Sequence, residues 1–253
     1  MNPPPLATRE AVREERFSDI WTQELDRVFA DVAPYYDRAN HVASLGLWTG
    51  FLRGFLNTIE ARPGQRVLDV CAGTNAVGIA LLEREPGLEL HAMDRSAEMQ
   101  EIGRQRAAAK GFRVYSVIGD VHELAFPDDH FDIVTLQWAS RHLRVKRVFG
   151  EILRVLKPGG CFHHCDMLRP ANRIVENLYH RYLRACLALT GSVFRSGPAA
   201  LNCKQYFIEA LEMFYSAEEL SVMMRELGFQ DVGAKTRLAG MFGYHRGAKP
   251  RSS

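Results

Sequence analysis

The sequence predicts a doubly wound α/β domain built on a mostly parallel sheet of seven strands. Short apolar runs alternate with stretches of helical periodicity through the middle of the chain, as they do when helices cover both faces of a parallel sheet. A capping box begins at Ser216, and two further apolar runs follow the helix that it starts. The predicted strands are 66–71, 88–93, 113–118, 131–137, 161–166, 230–237 and 241–245. Helical periodicity runs from 12 to 29, and further predicted helices include 76–84, 145–155, about 172–189 and about 204–213.

Composition and charge exclude several classes of protein. The formal net charge of the 253 residues is +2, which gives no reason to expect a nucleic-acid partner. No apolar run reaches about 18 residues, so no membrane-spanning helix is predicted. The first residues lack the apolar segment of a secretory signal, and the five cysteines are scattered and odd in number. We therefore expect reduced thiols and a cytoplasmic protein.

A run of cysteine and histidine in the fifth predicted strand is the candidate metal cluster. Strand alternation puts Cys161, His163 and Cys165 on one face and His164 on the other. Three ligands on one flat strand converge poorly on a tetrahedral ion, and no second cluster completes the set. We predict buried cysteines there and no metal site.

The clearest ligand signal is the turn after the first strand, in the segment VLDVCAGTNAVGIA at 67–80. The strand carries Asp69 and leads into small residues, among them Gly73, that let a ligand approach the backbone. Ligands of such folds bind outside the carboxyl ends of the strands. Asp94 closes the second strand, where a carboxylate can accept hydrogen bonds from both hydroxyls of a ribose. Asp120 closes the third strand, placed to meet an adenine amino group.

The same turn lacks the glycines that bind a pyrophosphate. Residues 72–77 read AGTNAV where dinucleotide-binding folds carry G-x-G-x-x-G, and the sequence contains no G-x-x-x-x-G-K-[ST]. We therefore expect a nucleoside without phosphate, such as S-adenosylmethionine, with Val121 packed on its purine. The alternative is an ordinary turn whose acidic side chains are only solvated. This alternative is disfavoured because acids close two successive strands.

Four stretches of the chain match a known family. The first is VFADVAPYYDRANHVASLG, which fits the family pattern Y-D-x-M-N-x-x-x-S-x-G at Tyr36, Asp37, Asn40, Ser44 and Gly46. The other three are VLDVCAGTNAVG, GDVHELAFPDDHFDIVTLQWASRHL and RVLKPGG. From about residue 28 to residue 249, the chain resembles the ubiquinone/menaquinone biosynthesis C-methyltransferase family of class I methyltransferases. The resemblance implies a Rossmann-like fold, S-adenosylmethionine as cofactor and a prenylated benzoquinol or naphthoquinol as methyl acceptor.

The resemblance also implies which residues hold the cofactor. Asp69 and Gly73 correspond to residues that shape the methionine pocket. The remaining cofactor-binding positions are Thr74, Asp94, Arg95, Asp120, Val121 and Gln137.

Catalytic and substrate-binding residues follow from the same resemblance. Arg141 matches the arginine of the family's L-R-N segment, and Tyr36 and Asn40 match a segment that closes over the substrate. A phenol has a pKa near about 10, and a neighbouring cation favours the phenolate that directs charge onto a ring carbon. We expect Arg141 to bind substrate and supply that cation, His142 to act as general base, Tyr36 to complete the catalytic set and Trp48 to contact substrate. A surface salt bridge for Arg141 and a solvated loop position for His142 are the alternatives.

Several positions depart from the family pattern. The second glycine of the turn is Asn75, and Ala76 replaces the acid that follows it. Asparagine tolerates a left-handed backbone, but we expect its side chain to fill space beside the cofactor. Trp48 and His142 also differ from the family, near the expected substrate. Two alternatives therefore stay open: methylation of another small aromatic or secondary metabolite, and a relative that uses S-adenosylmethionine for non-methyl chemistry.

The expected partner is a small, lipophilic aromatic molecule. The amphipathic segment 179–194 mixes aliphatic side chains with Arg181 and Arg184, which predicts a lid helix. A wall for an isoprenoid tail and contact with a membrane surface are its alternatives. Peripheral membrane contact and a dimer are thus further expectations.

The predicted domain boundaries follow these assignments. Residues 1–11 are Pro-rich and expected to be disordered, and 12–249 form one methyltransferase domain. Within it, the predicted parts are a helical cap at 12–62, a cofactor-binding core at 63–170, a helical lid insertion at 171–215, and a C-terminal helix with a strand pair at 216–249.

Overall fold

The computed structural model of the protein describes residues 6–20, 38, 41, 44, 46–193 and 204–251. The described helices are α1 Leu6–Ile20, α2 Trp48–Leu56, α3 Ala76–Arg84, α4 Ala97–Ala109, α5 Val145–Val155, α6 Arg173–Val193, α7 Lys204–Glu212 and α8 Ala217–Glu226. The strands are β1 Arg66–Val70, β2 Glu89–Asp94, β3 Tyr115–Ile118, β4 Phe131–Gln137, β5 Leu156–Met167, β6 Gln230–Arg237 and β7 Phe242–Ala248. Two single 3₁₀ turns are Ser140–His142 and Leu238–Gly240.

The strands form one sheet in the order β3-β2-β1-β4-β5-β7-β6. The first five run parallel to one another, and β7 is antiparallel to both β5 and β6. In the centre, Leu68 of β1 pairs with His91 of β2 on one side and with Val134 of β4 on the other. The chain winds outward in opposite directions from β1 and β4, so the carboxyl ends of these two strands open a crevice. The predicted doubly wound, mostly parallel sheet is confirmed.

Successive residues of β1 enter two apolar clusters, one on each face of the sheet. Leu68 packs in the cluster that contains Phe149 of α5, and Val67 in the cluster that contains Phe55 of α2. The alternation follows from the two-residue period of a strand. Burial of each such side chain contributes about 1.5–3 kcal/mol, so the helices on both faces stabilise the strands that flank the crevice.

The N-terminal segment is helical where disorder was predicted. α1 begins at Leu6, inside the residues expected to be disordered, and the described part of the predicted helix that spans 12–29 ends at Ile20. Arg9 is buried, donates to the Phe214 carbonyl at 2.7 Å and forms an ion pair with Glu219. The expectation of disorder for residues 6–11 was wrong because charged side chains anchor this helix. Apolar periodicity in the sequence cannot detect such charged contacts.

The segments after β5 include both predicted insertion helices, α6 and α7. The capping box before α8 is confirmed: Ser216 accepts from the Glu219 amide, and its own amide donates to the Glu219 carboxylate at 2.8 Å. None of the described helices combines the length and the apolar character that crossing a bilayer requires.

Candidate functional site

A cavity opens at the carboxyl ends of β1, β2 and β4, and most of the predicted site residues line it. The predicted residues on its wall are Trp48, Asp69, Gly73, Thr74, Asp94, Arg95, Val121, Gln137 and His142. Arg141 and Asp120 are described but do not line it. Tyr36 and Asn40 lie outside the described residues. The fold thus brings together side chains from five separate stretches of sequence.

The turn after β1 fixes the orientation of Asp94. Gly73 adopts a left-handed φ of +52°, which lets its amide donate to Asp94 Oδ2 at 2.8 Å. The Ser96 amide donates to Asp94 Oδ1 at 2.9 Å. Because each carboxylate oxygen can accept more than one hydrogen bond, Asp94 still has acceptor capacity toward the cavity. This arrangement suits recognition of two neighbouring hydroxyls.

The Asn75 side chain points away from the cavity. Asn75 has a left-handed φ of +58° at the start of α3, and its Oδ1 accepts from Gln100 Nε2 at 2.9 Å. Gly103 leaves room for it: a Cβ at that glycine would lie 2.5 Å from Asn75 Nδ2. The expectation that Asn75 fills space beside the cofactor was wrong, because contacts with α4 draw its side chain out of the turn.

One carboxylate oxygen of Asp69 has no hydrogen-bond partner among the described residues. Its Oδ1 accepts from Thr135 Oγ1 at 2.7 Å, whereas the buried Oδ2 has no partner in that part of the chain. Burial raises the pKa of Asp69 from 3.8 to about 7, and the negative charge of Asp94 adds to the rise, against the hydrogen bonds from Thr135 and the Gly78 backbone. A buried acid at a cavity wall is stabilised in its ionised form by a cationic ligand.

Asp120 is bound to a neighbour rather than presented to the cavity. Its Oδ1 accepts from the His122 amide at 2.9 Å and lies 2.6 Å from His122 Nδ1. Partial burial raises the pKa of Asp120, but the hydrogen bonds from His122 outweigh it and hold the pKa below its ordinary value. Asp120 does not line the cavity, and its contact with the adenine stays a prediction. Val121, the next residue, is buried and lines the cavity.

Arg141 lies in a buried ion pair behind the cavity wall. Its Nη1 donates to Asp166 Oδ1 and to the Trp138 carbonyl, both at 2.7 Å, and its side chain is 11% exposed. The alternative of a surface salt bridge was therefore wrong. Asp166 neutralises the charge of Arg141, and Arg141 does not line the cavity, so its role as a cation beside the acceptor stays a prediction that this ion pair disfavours.

His142 is a buried residue of the cavity wall and not a solvated loop histidine. Burial, with the positive charges of Arg141 and Arg13, lowers the pKa of His142 well below its ordinary value of 6.5. The imidazole is therefore neutral at pH 7 and able to accept a proton. Its low pKa makes it a weak base.

Trp138 is a site residue that the sequence analysis missed. It has a left-handed φ of +60°, lines the cavity, and packs at a tilt of 41° against Trp48 with ring centroids 4.7 Å apart. Its indole Nε1 is buried without a hydrogen-bond partner among the described residues. Strained backbone at a cavity is typical of functional positions. The sequence could have indicated this residue, because it directly follows the carboxyl end of β4, where ligands of this fold bind.

Metal ligands are not gathered in the described part of the chain: no cluster of three histidine, cysteine or acidic side chains with metal-binding geometry occurs there. His164 and Asp166 lie on the opposite face of β5 from His163, as strand alternation predicts. His163 instead lies 3.4 Å from the Thr58 hydroxyl.

Comparison with known proteins gives the chain its family. The model of the ubiE/COQ5 methyltransferase family matches residues 17–249. A demethylmenaquinone methyltransferase of Symbiobacterium thermophilum is 32% identical over 237 residues, covering 90% of this chain and 94% of its own. The ubiquinone/menaquinone biosynthesis C-methyltransferase UbiE of Ectopseudomonas mendocina is 32% identical over 233 residues, with 90% of each chain covered.

Solved structures show the same fold at lower identity. An S-adenosylmethionine-dependent methyltransferase of Thermotoga maritima superposes with a TM-score of 0.64 at 19% identity, over 88% of this chain and 98% of its own. A phosphoethanolamine N-methyltransferase of Haemonchus contortus, in complex with S-adenosyl-L-methionine, gives 0.60 at 17% identity, over 81% and 53%. The resemblance expected from the motifs is confirmed, and the chain belongs to the ubiE/COQ5 methyltransferase family.

Proposed function

We propose that this protein transfers the methyl group of S-adenosylmethionine to a ring carbon of a prenylated quinol in ubiquinone or menaquinone biosynthesis. The observation that carries the proposal is the cavity at the carboxyl ends of β1, β2 and β4. There, Asp94 is oriented by the Gly73 turn, and Asp69 keeps an unpartnered oxygen, in a chain of the ubiE/COQ5 family. Two of the relatives are named for methylation in quinone biosynthesis.

The cavity fits S-adenosylmethionine by the chemistry of its wall. Asp94 would accept from the ribose hydroxyls, and Val121 would pack on the adenine. Thr74 and Arg95 line the same wall, and Asp69 would balance the positive charge of the methionine part. When bound, the sulfonium supplies an already activated methyl group, so this chain has to align the acceptor and exclude water.

The acceptor would lie against the aromatic part of the wall. Trp48 and Trp138 pack as a tilted indole pair, and the Phe242 ring packs at a similar tilt with its centroid 4.9 Å from that of Trp138. An aromatic ring gains offset or tilted stacking on such a surface. The unpartnered indole N–H of Trp138 can donate to a ring oxygen. A lipophilic aromatic acceptor is therefore the best match.

His142, although a weak base, would take the acceptor proton, because its neutral imidazole lines the cavity. Ionising a phenol of pKa about 10 at pH 7 costs about 4 kcal/mol, so a neutral base beside the ring is useful. Arg141 would order the turn through its bond to Asp166, and that ion pair disfavours direct binding of Arg141 to substrate. Roles for Tyr36 and Asn40 stay predictions, as these residues lie outside the described part of the chain.

Peripheral membrane contact is proposed through the outer face of α6. Ile174 and Leu178 are 73% and 59% exposed, and Tyr182 continues the same stripe at helical spacing. Arg173 and Arg181 are also exposed on this helix, and the combination suits an anionic bilayer. Leu178→Gln should reduce sedimentation with phosphatidylglycerol vesicles, and unchanged binding would contradict the contact. A dimer and a cytoplasmic location stay predictions.

The test of the proposed function uses methyl-labelled S-adenosylmethionine and a demethyl-quinol. Label in the quinone, with S-adenosylhomocysteine formed in equal amount, supports the proposal. Label found only in other small aromatics would show that the proposed quinol acceptor is wrong. Cofactor binding without formation of S-adenosylhomocysteine would refute methyl transfer. Asp94→Ala is the matched variant and should lower cofactor affinity at least about tenfold. Asp120→Ala, at the end of the next strand, should lower it less.

A further inference from the structure

A buried polar chain runs behind the 3₁₀ turn that follows β4. Ser140 Oγ donates to Asp166 Oδ2 at 2.5 Å and lies 2.8 Å from His164 Nε2. His164 Nδ1 lies 3.2 Å from His245 Nδ1, and His245 Nε2 lies 3.1 Å from the Ala217 carbonyl oxygen. All four side chains are at most 1% exposed. Such a chain is favourable only when every link carries a hydrogen.

The sheet itself assembles this chain. His164 of β5 and His245 of β7 are direct partners in the antiparallel register, with ring centroids 5.2 Å apart. His164 and Asp166 share a face of β5 because side chains alternate along a strand. Phe149 and Phe162 pack on the His164 ring. The chain therefore lies in an apolar surrounding where an unfilled hydrogen bond is costly.

This chain of hydrogen-bonded side chains needs one more hydrogen than its neutral groups supply. Four contacts join the Ala217 carbonyl to the Asp166 carboxylate, and each uses one hydrogen. Two neutral imidazoles and one hydroxyl carry one hydrogen each, which gives three hydrogens for four contacts. One contact is then left between two acceptor atoms with no hydrogen between them. A single added proton fills all the contacts. The geometry thus defines a site for one proton shared among the groups.

We propose that Ser140, His164, His245 and Asp166 hold one shared proton and thereby position the turn Ser140–His142 for methyl transfer. Asp166 links the chain to the turn, because its Oδ1 accepts from Arg141 and its Oδ2 from Ser140. None of the four residues lines the cavity, so they are positioning residues and not catalytic ones. The proposal rests on the proposed function, since the same turn presents His142 to the acceptor.

The charged and titratable groups around the chain set its proton affinity. Burial lowers the pKa of both histidines, that of His245 to about 4, and the carboxylate of Asp166 opposes this for His245. Arg141 faces Asp166 from the turn, and Arg13 of α1 donates to the Leu143 carbonyl at 3.1 Å. From α6, Tyr179 stays neutral because burial raises its pKa. The Asp166 carboxylate is thus the group that favours the added proton, against the effect of burial and the positive charge of Arg141.

Nuclear magnetic resonance of ¹⁵N-histidine-labelled protein tests the shared proton directly. We expect the ring nitrogens of His164 and His245 to change together in one common step, because the two rings share a single proton. Ser140→Ala removes one link with little loss of packing and should move that step by about one pH unit. His163→Gln, the adjacent buried histidine on the other face, should leave it in place. Constant shifts in the unmodified protein, or a step unmoved in Ser140→Ala, would overturn the proposal.

Kinetics test the positioning role. In His164→Gln and His245→Gln, we expect kcat to fall about tenfold with the KM for cofactor within about twofold, and the one-proton step in the pH profile of kcat to disappear. His163→Gln should keep that step. Profiles of both variants that match the unmodified enzyme would refute positioning by this chain. The resonance experiment needs no methyl acceptor, so its result stands even where the proposed function fails.

Discussion

Binding of S-adenosylmethionine is expected to release a proton from Asp69. The pKa of this buried carboxyl is about 7 without a ligand, so about half of the molecules hold the proton at pH 7. A cation within about 4–6 Å lowers such a pKa by roughly 1–3 units. A lowering of about two units would release about half a proton per cofactor at pH 7 and less than about a tenth at pH 8.5.

Isothermal calorimetry measures that release. Binding heats recorded in phosphate and in Tris differ by the number of protons released multiplied by the difference in buffer ionisation enthalpy. S-adenosylhomocysteine lacks the sulfonium charge and should release less, and Asp69→Asn should release none from this site. Equal heats in the two buffers at pH 7, with binding otherwise intact, would refute the assignment of a raised pKa to Asp69.

The same carboxyl makes stability depend on pH. Because the pKa is higher in the folded protein than its ordinary value of 3.8, the folded state binds the proton more tightly. The free energy of unfolding should therefore fall as pH rises from about 4 to about 7, by up to about 4 kcal/mol. Asp69→Asn should remove this dependence in urea unfolding measured across that range. A variant that loses stability with pH as the unmodified protein does would contradict the argument.

Three further changes have expected outcomes. Gly103→Ala places a Cβ 2.5 Å from Asn75 Nδ2, so it should lower the free energy of unfolding by about 1–3 kcal/mol, and Asn75→Gly in the same chain should restore much of it; a neutral Gly103→Ala would be the contrary result. Asp166→Asn leaves the Arg141 guanidinium buried without its counter-charge, and urea unfolding should show a loss of about 3–5 kcal/mol. Arg9→Met should raise proteolysis within α1, because the helix loses its bond to the Phe214 carbonyl; an unchanged digest would contradict that anchor.

Local patterns in the sequence were sufficient for the elements that form the sheet. The strand 131–137 and the helices 76–84 and 145–155 have the predicted bounds. Their apolar periods are strong because each element buries one face, and burial dominates the energetics at these positions. The capping box at Ser216 was equally readable, since both of its hydrogen bonds join residues three apart.

The same local patterns failed where a long-range contact decides what a side chain does. Arg9 is not part of an apolar pattern that would predict its burial. Its burial is favourable because it donates to the Phe214 carbonyl, about two hundred positions away. Asn75 is turned from the cofactor by Gln100, and Arg141 is neutralised by Asp166. Each of these partners belongs to a different element, so no window of sequence contains both residues.

The sequence by itself determined the fold class, the family and the position of the cofactor crevice, because these depend on periodicity and on residues at the ends of strands. Only the tertiary structure decided which acids face that crevice: Asp94 and Asp69 line it, whereas Asp120 bonds to His122. It also joined Ser140, His164, His245 and Asp166, which come from three separate elements. The physical reason is that hydrogen bonds and ion pairs are short and directional, so their partners are set by where the packed strands and helices place each side chain.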